Sequence, residues 1–151
     1  MADSAAEARA IVDANEFMTL ATADLSGMPW ASPVWFAHDD YTAFIWASKP
    51  GARHSRNLAD RPEVAIVIFD STARPGATTA LYVEATAEQL YGADLDAAIE
   101  TYSRRSQAFG LPAWAREALT EPAPHRLYRA TTLQAYVLDD RDRRVAIRTR
   151  P

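Results

Sequence analysis

The stretch FMTLATADLSGMPWASPVWFAHDDYTAFIWAS, residues 17–48, settles the fold class. FMTLATAD (17–24) reads as a strand, LSGM as a turn around Gly27, and PWASPVWFAHD (29–39) as the return strand. Asp39-Asp40 marks a second turn, and YTAFIWAS (41–48) a third strand. Parallel neighbours need a crossover of a dozen residues or more, and these connections are far shorter. The segment is therefore predicted to be an antiparallel meander.

Outward from this segment the pattern stays rich in β-structure. Residues 3–14 predict a short amphipathic helix with Ala8, Ile11 and Val12 toward the core and Asn15 as its stop. A helix over 52–60 is closed by Pro62. EVAIVIFD (63–70) and TALYVEATAEQL (79–90) read as strands on either side of a loop, STARPGAT (71–78). A helix over 93–109 carries the stripe Leu95, Ile99, Tyr102 and Phe109, and Pro112 opens a second helix over 112–119. HRLYRATT (125–132) and QAYVLDD (134–140) read as two further strands, and RVAIRTR (144–150) as another. The expectation is a mainly β protein with peripheral helices: six or seven antiparallel strands in a closed or partly closed barrel, which hides strand edges. No repeat or linker divides the chain, so residues 1–151 are expected to form one domain.

Composition narrows the function classes. The net charge of −4 carries no nucleic-acid signature. With no cysteine there are no disulfides, thiol nucleophiles or thiolate metal sites, as suits a cytoplasmic protein. MADSAAEARAIVDANEF (1–17) lacks a basic start and a long apolar run, so neither a signal peptide nor a membrane anchor is expected there. His38, His54 and His125 have no ligand-like spacing, so no metal site is expected. Serine-hydrolase elbows, zinc-protease helices and glycine-rich phosphate loops are absent from the sequence. No side chain declares itself as a catalytic acid or base.

One cluster stands out. Between the third strand and the next helix, WASKPGARHSRNLADRP (46–62) places Lys49, Arg53, His54 and Arg56 with no acid before Asp60. Cations at a helix N-terminus oppose the macrodipole, and a bound anion would remove the conflict. A solvated basic turn is the plain alternative.

The order of elements resembles the FMN-binding split barrel, the pyridoxamine 5′-phosphate oxidase-like superfamily. WASKPGARHSRNLADRPEVAIVIFD (46–70) is the strongest match. FMTLATADLSGMPWASPVWF (17–36) resembles the family's opening hairpin, LYVEATAE (81–88) its later strand, and RLYRATTLQAYVLD (126–139) its closing hairpin. The resemblance implies that the flavin phosphate sits at Ser48, Lys49, Arg53, His54 and Asn57. It implies that Ser32, Pro33, Val34 and Trp35 wall the ring, with Trp46 and Ala47 nearby. Pro33 within a strand suggests an edge or a bulge with backbone free to meet a ligand. Trp35 and Trp46 read equally well as core aromatics, since only alternate residues of a strand share a face. The sequence departs from pyridoxamine-phosphate oxidase itself at Ser32, where that enzyme carries an arginine, and at Leu138, where it carries a tryptophan. These departures point away from pyridoxamine phosphate as the substrate. Arg144 and Arg148 could stand in loosely for that enzyme's basic tail.

The function implied is an FMN-dependent oxidoreductase acting on a small molecule. F420 in the same pocket is one alternative, and a non-catalytic flavin- or haem-binding protein is another. The apolar run Pro33–Phe36, with Trp30, asks for cover on both strand faces. That run and the resemblance both imply a homodimer with cofactor at the interface, to which Arg126, Arg129, Arg144 or Arg148 could reach from the partner. No nucleic-acid or membrane partner is expected.

Overall fold

The computed structural model describes residues 3–147. Helix α1 (Ser4–Ala14) leads into strands β1 (Phe17–Ala23), β2 (Pro29–Trp35), β3 (Ala37–Asp39) and β4 (Ala43–Ser48). Helix α2 (Arg53–Asp60), strands β5 (Glu63–Phe69) and β6 (Ala80–Gln89) and helix α3 (Gly92–Ala108) follow. A 3₁₀ turn (Arg116–Ala118), β7 (Arg126–Leu138) and β8 (Arg144–Ile147) complete the order. Arg148 and the rest of the predicted strand 144–150 beyond Ile147 lie outside the described residues. No helix among the described residues is long and apolar enough to cross a membrane.

Every strand pairing is antiparallel, in the order β2-β1-β5-β6-β7-β4-β3 with β8 added on β7. The two ends of that order, β2 and β3, are joined by one residue, Phe36. Laid flat, seven strands spaced about 4.8 Å apart would separate those ends by about 29 Å. One residue spans only about 3.5 Å, so the sheet has to curl until its edges meet. The result is a barrel split between β2 and β4. A tight turn sets the first hairpin: Asp24 Oδ1 accepts hydrogen bonds from the Ser26 and Met28 N–H groups at 2.9 and 3.0 Å. Gly27 supplies the positive φ of 87° that the turn needs.

The curl explains two departures from the predicted strands. Residues 29–39 are not one strand pairing on both sides: β2 pairs with β1, the chain bends at Phe36, and β3 pairs with β4. Conversely, the two strands predicted within 125–140 are one. Leu133 is extra in β7, because Thr132 lies opposite Ala85 and Gln134 opposite Glu84. Before this bulge the even-numbered residues Tyr128 and Ala130 face the barrel interior; after it the odd-numbered Ala135 and Val137 do. The predicted helix 112–119 is only the 3₁₀ turn, its approach tied to α3 by Trp114 N–H to Ser103 Oγ (2.9 Å) and Ser106 Oγ to the Pro112 carbonyl (2.7 Å).

The main core fills the barrel, with Met18, Leu20, Phe36, Phe44, Trp46 and Ile68 nearly or fully buried. Helix α1 closes this core with Ala8, Ile11 and Val12, and α2 adds Leu58. A second cluster lies between α3 and the outer side of β3, β4 and β7, built from Ala37, Ile45, Leu127, Leu95, Ala98 and Tyr102.

Candidate functional site

The split between β2 and β4 meets the start of α2, and this seam gathers most of the residues singled out from the sequence. β2 is an edge strand, paired only with β1. Phe36 donates its N–H to the Glu16 carbonyl and Asp24 its N–H to Met28, so even-numbered residues of β2 bond toward β1. By the same alternation Ala31, Pro33 and Trp35 turn their backbone groups toward the free edge. Pro33 therefore costs no ladder hydrogen bond where it stands.

At the far side of the seam, Ser48 ends β4. Its Oγ lies 2.7 Å from His54 Nε2, and both residues are buried. Burial pushes the His54 pKa below its ordinary value, which favours the uncharged ring. One turn on, Asn57 Nδ2 donates to Thr22 Oγ1 at 3.1 Å, which ties α2 to the inner face of β1. Thr22 was legible as an oddity: it occupies the inward position after Met18 and Leu20, where an apolar residue is expected.

The α2 N-terminus differs from that of α1. Helix α1 has Asp3 as its cap, accepting from the Ala5 N–H, and Glu7 in its first turn. Helix α2 has Ala52 in the cap position, no side-chain cap and no acid in its first turn. Its first-turn N–H groups are therefore open to an external acceptor. Lys49, Arg53 and Arg56 stand exposed around this end, and none forms a salt bridge among the described residues. Arg56 donates to the Gly51 carbonyl at 3.0 Å. The Arg53 guanidinium lies over the Trp30 ring, 4.3 Å from its centroid. Asp24 lies near enough to feel Arg53, but hydrogen bonds from Ser26 and Met28 are what chiefly hold its pKa low. The arrangement is chemically that of an anion site: open N–H groups, unpaired cations and a buried hydroxyl. A dianionic phosphate would fit it, with Arg53 and Lys49 as the cations and His54 orienting Ser48.

The residues expected around a ring divide between faces. Ser32, Val34, Trp46 and Ser48 share the inner face, whereas Pro33, Trp35 and Ala47 share the outer one. Val34 and Trp46 belong to the core; Trp46 is fully buried and stacks on Tyr128 at 5.8 Å. Its indole N–H has no partner. Trp35 is half-buried, edge-on to Tyr102 at 5.2 Å. The open wall of the seam is thus the free backbone edge of β2, with Ser32 half-buried beside it. Sequence reasoning did not place Trp30 beside Arg53, although an aromatic two residues before Ser32 shares its face.

Fold and seam together define a split-barrel protein with an uncapped, basic helix start at the β4–α2 junction. Residues 4–139 match the pyridoxamine 5′-phosphate oxidase family model, and the chain belongs to that family. No curated protein matches it in sequence. Among solved structures it is similar to a haem-binding protein from Mycobacterium smegmatis, with 22% identity and a TM-score of 0.76 over 97% of this chain. The chain spans 58% of the length of that protein. It is also similar to HutZ, the haem storage protein from Vibrio cholerae (22% identity, TM-score 0.69, 87% of this chain and 92% of that one). A third likeness is to an FAD-binding protein from Mesorhizobium loti (22% identity, TM-score 0.64, 89% and 93%). These likenesses establish the fold.

Proposed function

We propose that the protein is a cytoplasmic flavin-dependent oxidoreductase that holds FMN in the β2–β4 seam and acts on a small molecule. The uncapped, acid-free N-terminus of α2, ringed by Lys49, Arg53 and Arg56, carries this reading, because it suits a phosphate ester better than a neutral ligand. When bound, FMN supplies the hydride chemistry. The chain's own part is to anchor the phosphate through Arg53, Lys49 and Ser48, and to offer backbone groups of Ala31, Pro33 and Trp35 to the polar edge of the ring. The longer anionic tail of F420 would draw further on Lys49 and Arg56. Haem binding without catalysis is the second reading. It is favoured by the names of two similar structures and by His54, which is an imidazole at the seam. Reconstitution of the purified protein with FMN, F420 and haemin, followed by absorbance after desalting, separates the three. Retained FMN with a shifted flavin spectrum is the expected result; a retained Soret band with no flavin would overturn it in favour of haem.

The same reading includes a homodimer. On the outer face of β2, β1 and β5, the apolar residues Phe17, Ala31, Pro33, Ala65 and Phe69 are exposed, with Phe17 at 59%. A two-fold partner covers such a face isologously. Arg144 lies on this side, its guanidinium 4.9 Å from the Tyr82 ring centroid, whereas Arg126 and Arg129 are engaged by Glu121 and by Glu88 and Asp94. Arg144 is therefore the arginine freer to reach a partner's cofactor. Sedimentation at low micromolar concentration should give a dimer burying about 1,200–2,000 Å² in total or more. A monomer that binds FMN at full affinity would sink the shared site.

A further inference from the structure

The turn between β3 and β4 is built against its own backbone preferences. Asp40 and Tyr41 both take the left-handed region, at φ 47° and 58°. A bulky side chain seldom adopts that conformation, and glycine or asparagine is the usual occupant. The Thr42 N–H closes the turn on the Asp39 carbonyl at 3.0 Å, and the Thr42 carbonyl accepts from the Thr132 N–H of β7 at 2.9 Å. Asp40 and Tyr41 are therefore the part of the turn that can move.

Side chains hold Tyr41 in place. Its N–H donates to His38 Nδ1 at 3.2 Å, and its ring stacks on the His38 imidazole with 4.1 Å between centroids. Its hydroxyl donates to Asp13 of α1 at 2.9 Å, and the Arg9 guanidinium of α1 lies 5.6 Å from the ring centroid. The turn thus grips α1, the helix that closes the main core.

His38 decides whether the grip holds. To accept from Tyr41, Nδ1 must be bare, so the neutral ring carries its proton on Nε2, 3.6 Å from Asp13 Oδ1. A second proton lands on Nδ1 and sets two donors against each other. Turning the ring over gives no remedy, because a doubly protonated imidazole has no acceptor. Burial, and after it the Arg105 guanidinium of α3, disfavour the charged ring, whereas Asp13 and Asp39 favour it. The first two prevail and hold the His38 pKa below its ordinary value. Neighbouring β4 places only uncharged Phe44 opposite.

We infer that His38 is an acid-sensitive latch: protonating it expels the Tyr41 N–H, opens the Asp40–Tyr41 turn and releases Tyr41 from α1. The closed turn disfavours the proton, so its stability is complete above the ordinary histidine value of about 6.5. It is lost as pH falls from there through the lower value of the closed turn. The open fraction should grow by at most about tenfold per pH unit, the slope of one proton.

Amide exchange of the full chain from about pH 7.5 to about pH 5, where carboxylates stay largely ionised, is the test. After division by the intrinsic exchange rate, protection of the Tyr41 N–H should fall with pH. Tyr41 ring and Asp13 resonances should shift with the same midpoint. His38→Asn keeps an acceptor near the Nδ1 position that does not titrate, so its protection should stay flat. His54 is unchanged in that variant, which separates the two histidines. Ring-nitrogen shifts of His38 in the parent protein give a second reading that needs no variant: the neutral ring should be the Nε2–H tautomer. The inference fails if Tyr41 protection is absent or flat with pH in the parent, or if His38→Asn retains the parent's slope. A neutral ring with its proton on Nδ1 would overturn it equally.

Discussion

Replacing Arg53 with alanine should weaken FMN binding by about 1.5–3 kcal/mol, roughly ten- to 150-fold, the range of a charge-assisted hydrogen bond. The loss should be larger than for Arg56→Ala. Arg56 donates to the Gly51 carbonyl and so is partly committed to its own loop, whereas among the described residues Arg53 is held only by the Trp30 face. The Arg53 loss should also shrink as salt is raised, because the guanidinium is exposed. Arg53→Lys should recover only part of it, since an ammonium keeps the charge but neither stacks on Trp30 as a plane nor offers two parallel donors. Titration calorimetry with FMN, and with riboflavin as the phosphate-free control, makes the test specific. Riboflavin should bind Arg53→Ala and the parent alike. Equal FMN affinity in the two proteins would remove the phosphate from the α2 N-terminus.

The basic helix start at α2 was readable because its signal is local. A bare helix start, four basic side chains and the absence of any acid before Asp60 all fall within a dozen residues. The β1–β2 hairpin was readable for the same reason, with Asp24 and Gly27 specifying the turn. What the sequence could not give was anything fixed by distant pairing. PVWF (33–36) is continuously apolar, and nothing in it says that Trp35 ends one strand and Phe36 turns the corner into another. Trp35 and Trp46 were symmetrical candidates on paper. The strand alternation sends Trp35 toward α3 and Trp46 into the barrel, and only the pairing partners reveal which. The Leu133 bulge reads in sequence as a break, because the inward positions switch from even to odd there. Residues 112–119 carry ordinary helix formers behind a proline, but hydrogen bonds to Ser103 and Ser106 hold the approach to them against α3. Tertiary contacts override propensity at such places. His54 shows the limit of reading charge from type alone: it sits in a basic cluster, and its burial disfavours the charged ring.

Phe36 should prove the costliest single truncation in the chain. It is fully buried, and it is the only residue between the strands that form the two ends of the sheet. Its ring packs on Phe44 at 5.9 Å, and the Arg105 guanidinium lies over it at 4.9 Å. Arg105 in turn donates to the carbonyls of Val12 and Asn15 at 3.0 and 2.8 Å, which fastens the end of α1 to α3. Removing the ring thus leaves a cavity at the bend and takes the floor from under a half-buried cation. Phe36→Ala should cost about 3–5 kcal/mol, a large fraction of the roughly 5–15 kcal/mol that holds an ordinary domain folded. Leu133→Ala is the control, since that side chain is 61% exposed at the bulge and should change stability by no more than about 0.5 kcal/mol. Urea unfolding should show the Phe36→Ala midpoint falling with little change in slope. A loss below about 1.5 kcal/mol would mean that the bend is fixed by strand pairing alone. A loss in the expected range should bring weaker FMN binding with it even where the variant is folded, because the same residue sets how far β2 stands from β4 across the seam.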